Sequence, residues 1–166
     1  MDSVQRIEPG PGQESVWDYP RPPRVEPTSR HVEVVFNDLV LVDSRRSLRV
    51  LETSGPPTFY VPRDDVRMDV LREANAAATV CEWKGLARYF DIVVRDRTAP
   101  KAAWTYPHPN EEYDELTGHV AFYPGRVDAC YLDGERVRPQ PGDYYGGWIT
   151  NDIVGPFKGG PGTAGW

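Results

Sequence analysis

Eight or nine short β-branched or aromatic runs, set at hairpin spacing, predict a mainly β, small antiparallel fold for this chain. Glycine and proline mark where that fold stops. Residues 31–133 hold 11 of them in 103 positions, whereas the flanks, 1–30 and 134–166, hold 21 in 63. The middle therefore has the composition of a packed core, and the flanks read as irregular extensions. A length of 166 residues suits one such domain. The expected organisation is a Pro-rich arm over 1–30, a β core over 31–133 and a Gly-, Pro- and aromatic-rich strap over 134–166.

Pro9, Pro11, Pro20, Pro22, Pro23 and Pro27 deny the arm a sustained helix. Trp17 and Tyr19 are foreign to pure disorder and suit an anchor on the core. The core opens with a hairpin, 31–36 and 39–43, around Asn37-Asp38, residues that accept positive φ in a tight turn. In the next strand, 48–52, period-two geometry sets Leu48, Val50 and Glu52 on one face, with Arg49 and Leu51 opposite. Gly55-Pro56-Pro57 breaks the chain before a strand at 58–61. Pro62 opens a short helical turn over 63–71, with Asp64 and Asp65 at its positive end. Strands at 78–83 and 87–95 surround Lys84-Gly85. A strand at 101–106 is ended by Pro107 and Pro109, and Glu111–Leu116 is one helical turn stopped by Gly118. Residues 119–123 and 127–132 read as a last hairpin around Pro124-Gly125. In the strap, Trp148 and Phe157 are the expected anchors, since burying each offsets the entropy of ordering the glycines between them.

Charge and spacing exclude several classes. Lys plus Arg number 19 and Asp plus Glu 25, a net charge of −6, so non-specific binding to nucleic acid or anionic lipid is not expected. No apolar run approaches the roughly 18 residues of a membrane span. The start, Met-Asp-Ser-Val-Gln-Arg, lacks a signal pattern, which points to the cytoplasm, with Cys81 and Cys130 as free thiols. His31, His108 and His119 have no metal-like spacing, and no Cys-x-x-Cys pair exists, so neither metal nor cofactor is expected. There is no Gly-x-Ser-x-Gly elbow, and the glycine-rich stretch after Gly155 lacks the Gly-Lys-Ser/Thr ending of a phosphate loop. Asp64-Asp65 comes nearest to a magnesium pair and reads as a turn cap.

The chemistry-bearing residues lie in the core. Glu52, on an apolar strand face, is either a general acid/base or the partner of an arginine such as Arg49 or Arg63. Cys81 and Trp83 share a face, and Lys84 precedes Gly85, where a missing side chain lets backbone or ligand approach. Cys81 reads as an activated thiol or as a small core residue. Lys84 reads as a ligand contact, holding an anion or polarising a carbonyl, or as a solvated strand end. Trp104 and Tyr106 alternate onto one face and, with Tyr60 and Tyr123, suit either a flat ligand or a core.

Five stretches in order carry a resemblance: Asp43-Ser44-Arg45-Arg46-Ser47-Leu48-Arg49-Val50-Leu51-Glu52, Phe59-Tyr60-Val61-Pro62-Arg63-Asp64-Asp65-Val66, Thr79-Val80-Cys81-Glu82-Trp83-Lys84-Gly85, Ala102-Ala103-Trp104-Thr105-Tyr106-Pro107 and His119-Val120-Ala121-Phe122-Tyr123. Together they resemble the domain-of-unknown-function 427 family, sometimes labelled nucleotidyltransferases, over residues 31–133. The arm and tail are similar to those of actinobacterial members. The resemblance implies a β-tent fold, shared with methionine-sulfoxide reductase B and the cereblon ligand-binding domain. Such tents often carry zinc on two Cys-x-x-Cys hairpins, which this chain lacks. The family commonly has Pro where Glu82 stands. The expected function is an aromatic-lined small-molecule pocket, enzymatic through Glu52 and Lys84, with Tyr60, Cys81, Trp83, Trp104, Tyr106 and Tyr123 as its walls. The alternative is a non-catalytic module holding a ligand or peptide in the same pocket.

Overall fold

The computed structural model describes residues 4–75, 78–81 and 83–166. Alternation of apolar and polar residues builds two antiparallel sheets that do not close into a barrel. The larger runs, in spatial order, through Arg24–Pro27, Leu48–Leu51, Thr58–Pro62, His119–Phe122, Arg97–Thr105, Gly85–Val94 and Leu71–Glu73. Thr79–Cys81 pairs with the beginning of Gly85–Val94. The smaller sheet has the order Glu135–Arg136, Ala129–Leu132, Val32–Phe36 and Leu39–Ser44. The main core lies between them: Phe59, Val61 and Phe122 of the larger sheet meet Val34, Leu41 and Leu132 of the smaller. Among the described residues no helix is long and apolar enough to cross a membrane.

Local chemistry explains the turns. Asn37 and Asp38 both take positive φ, 50° and 62°, closing a two-residue hairpin whose twist matches its strands. The stretch 63–71, expected as one helical turn, is two 3-10 turns, Arg63–Asp65 and Met68–Val70, followed by the strand Leu71–Glu73. Asp65 holds Arg46 at 2.9 Å, and that guanidinium keeps its carboxyl below the usual carboxylate range. The expected last hairpin does not form. Pro124 and Gly125 instead carry the chain from one sheet to the other, so Val120 pairs with Val61 and Cys130 with Val34. The expected strand at 78–83 is Thr79–Cys81; part of the original span, at Glu82, lies outside the described residues.

The flanks are built into the domain. Arg24–Pro27 is an edge strand of the larger sheet, where Pro27 needs no donor partner. Glu14–Ser15 pairs in parallel with Ile153–Val154, joining arm to tail. Val16 and Tyr19 of the arm bury against Leu51, Ile149 and Ile153, with Phe157 packed at the side. Trp148 enters the main core, 1% exposed, with its ring 5.1 Å from Phe59 and its indole N–H donating to the Phe122 carbonyl at 3.0 Å. Arg49 faces this arm, where it binds Glu14 and Glu26.

Candidate functional site

The outer face of the larger sheet is aromatic. Register places Tyr60, Ala121, Trp104 and Tyr89 in one row across four strands. Ala121 is small, so Tyr60 and Trp104 meet over it: their rings are edge to face at 6.0 Å, and the Trp104 indole donates to the Tyr60 hydroxyl at 3.2 Å. Tyr106, two residues along the same strand direction, lies 6.3 Å from Tyr60, and Tyr123 packs 4.6 Å from Trp104. Burial pushes the phenols of Tyr60, Tyr106 and Tyr123 above the usual tyrosine range, so each remains a hydrogen-bond donor at neutral pH.

Lys84 reaches this wall from a tight turn. Gly85 has φ of 112°, a backbone conformation that residues with side chains rarely adopt. Asn110 locks the turn, its amide donating to the Lys84 carbonyl and its side chain to the Trp83 carbonyl, both at 2.9 Å. Lys84 is 9% exposed, its ammonium 6.0 Å from the Tyr106 ring centre. Among the described residues no carboxylate lies within ion-pair distance of it. Trp83 is half-buried against the aromatic cluster, and the half-buried Cys81 thiol accepts the Lys84 amide at 3.4 Å.

Glu52, one residue past its strand, borders the same space. Its partner is neither Arg49 nor Arg63, because period-two geometry turns Arg49 to the opposite face. Lys158 of the tail binds it at 3.3 Å. The Lys158 side chain is 10% exposed and lies 4.8 Å from the Tyr145 ring. Its backbone is clamped at both ends: the amide donates to Ser54 at 2.9 Å, and the carbonyl accepts the Gln140 side chain at 2.8 Å. The tail then passes over the row of rings. Tyr123 donates to the Tyr144 carbonyl at 3.1 Å, and Gly146 lies so close to Trp104 that an added Cβ would be 2.4 Å from its ring.

All eight residues singled out from the sequence therefore border one cavity of about 290 Å³. Lys158, Gln140, Tyr145 and Tyr89 also border it and were missed. The one available signal was Lys158, the only cation after Arg138. Chemically, the cavity offers stacking faces, phenol donors, one ammonium beside Tyr106 and one carboxylate–ammonium pair. Among the described residues no three His, Cys, Asp or Glu side chains group to hold a metal.

No curated protein matches this chain. The family model described as a domain of unknown function (DUF427) matches residues 24–133, from the edge strand to the turn after Ala129–Leu132. Since that span covers the larger sheet, three of the four strands of the smaller one and most of the aromatic wall, the chain belongs to the DUF427 family.

Proposed function

We propose that the cavity binds a small planar organic anion, stacked on Trp104 and Tyr106, with its carboxylate or carbonyl oxygen held by Lys84. Charge supports this most directly. Two lysines, 9% and 8% exposed, border the space with a single described carboxylate, Glu52, on a protein whose net charge is −6. Cations gathered in a low-dielectric cleft attract an anionic ligand. The phenol donors of Tyr60 and Tyr106 suit an oxygen-bearing ring. Free thiols at Cys81 and Cys130 fit a reducing compartment, and we place the protein in the cytoplasm.

The test uses the cavity's own tryptophans. Benzoate should quench their fluorescence saturably, benzyl alcohol should bind at least tenfold more weakly, and benzylamine should bind least. Benzylamine binding most tightly would reject the anion reading. Lys84→Met should weaken benzoate at least tenfold, and Lys84→Arg should recover part of the loss. Glu52 borders the cavity that also holds Lys84, and we read it as the group that exchanges a proton with the ligand. For a ligand recovered from the purified protein, Glu52→Gln should then abolish turnover and retain binding. If the ligand is recovered unchanged with either protein, the non-catalytic binding module stands.

A further inference from the structure

A thiol stands in the cavity wall beside Lys84. In the strand Thr79–Cys81, Val80 is 71% exposed, so alternation turns Thr79 and Cys81 inward, and both border the cavity. Thr79 is already engaged, its hydroxyl paired with that of Tyr89 at 2.7 Å. Cys81 is a free thiol packed against the cluster of Tyr60, Trp104 and Tyr106. The Lys84 amide donates to its sulfur at 3.4 Å, which ties the thiol to the turn that carries the lysine. The other cysteine, Cys130, is 1% exposed within the main core, so no second thiol reaches the cavity.

An independent observation points to a ligand in front of this thiol. Lys84 is 9% exposed, and among the described residues no acceptor takes a hydrogen bond from its ammonium. The Tyr106 ring, with its centre 6.0 Å away, offers only its face. A buried ammonium without an acceptor is destabilising, and an oxygen of the ligand supplies one. The wall therefore presents ring faces for a planar group, an ammonium for an oxygen, and a sulfur nucleophile on the same turn as that ammonium. An aryl ketone conjugated to an alkene answers all three.

We propose that Cys81 adds reversibly to an electron-poor alkene conjugated to the carbonyl of an aromatic ligand held in the cavity. The sulfur forms a bond to the β-carbon, and the alkene π pair moves toward the carbonyl, giving an enolate whose oxygen Lys84 holds. The thiol proton leaves to water, and a proton from water reaches the α-carbon. The product is a thioether that contains the whole ligand; no oxidant, reductant or further reactant is consumed. Negative charge appears on the oxygen only as addition proceeds, so the ammonium favours the transition state over the neutral carbonyl. This rests on the cavity binding a planar aromatic anion.

The probe is trans-3-benzoylacrylate, a planar aryl enone that also carries a carboxylate. Its saturated analogue, 3-benzoylpropionate, reports binding alone. With the full chain, mass measurement should find one intact probe, on Cys81. The addition rate should saturate with probe concentration and fall when benzoate is added. Its second-order limit should exceed the rate of N-acetylcysteine at the same pH at least tenfold. Lys84→Met should slow the rate at saturating probe at least tenfold. Iodoacetamide, which displaces iodide and forms no enolate, should slow less than threefold at Cys81 in the same variant, and Lys84→Arg should recover part of the probe's rate. Cys81→Ser should abolish the adduct and still bind benzoylpropionate. A rate on the unmodified chain no greater than that of N-acetylcysteine, or equal slowing of both reagents by Lys84→Met, overturns the addition while benzoate and benzoylpropionate still bind. If neither of these binds, the anion reading falls and this one with it.

Discussion

The two faces of the larger sheet share strands but differ in chemistry. Phe59 and Val61 face the main core while Tyr60, between them, faces the cavity; Val120 and Phe122 flank Ala121 in the same way. The core face is aliphatic or phenylalanine, closed by the second sheet. The cavity face carries phenols and an indole, is bordered by Cys81, Trp83 and Lys84, and is covered by Tyr113 and Leu116 at one side and by the tail with Lys158 at the other. One strand thus serves the core and the cavity at alternate residues. A substitution's position in the pleat decides which property it changes.

Phe59→Ala attacks the core face and carries the largest expected effect. It removes a 1%-exposed ring packed at a 45° tilt against Trp148, and should cost about 3–5 kcal/mol in denaturant unfolding. Loss below 1 kcal/mol would mean that the two faces are not separated as described. Gly146→Ala attacks the cavity face by forcing a Cβ against Trp104. The expected cost is about 1–3 kcal/mol, accompanied by a shift in Trp fluorescence and weaker benzoate binding. An unchanged spectrum would show that the tail does not rest on that ring.

The cysteines sharpen the contrast without mutation. Burial pushes the Cys130 thiol far above its usual range, and it is 1% exposed in the core; Cys81 is half-buried beside the cavity. Native alkylation followed by mass measurement should label Cys81 first, and Cys130 only after unfolding. Saturating benzoate should slow labelling at Cys81 alone. The smallest effect belongs to the arm. Arg49 holds the Glu14 carboxyl below its reference value of 4.5. A depressed folded value means that this contribution is complete above pH 4.5 and is lost as the pH falls through the lower folded value. The melting temperature of Glu14→Gln should therefore fall less steeply than that of the parent below pH 4.5.

Most of the sheet was legible because its pattern is local. Asn37-Asp38 announced a turn, and alternation at 48–52 and 104–106 set Glu52, Trp104 and Tyr106 on their faces. The false hairpin at 119–132 shows the limit. Proline and glycine signal that a chain turns, whereas which sheet the next strand joins depends on distant partners such as Val34. The same distance hid Lys158. Its meeting with Glu52 spans 106 residues, and a lysine among glycines carries no periodicity from which to read a face. Trp17 and Tyr19 were readable as anchors, but their partners in the tail were not.

The family match ends at residue 133, yet Gln140, Tyr145, Gly146 and Lys158 lie beyond it and border the cavity. The family model thus covers the sheet beneath the cavity and stops short of the segment that passes over it. Changes confined to the tail could alter what this chamber admits while every strand stays as it is. Two proteins alike from 24 to 133 need not share a ligand, and comparison of their tails would reveal the difference before comparison of their cores.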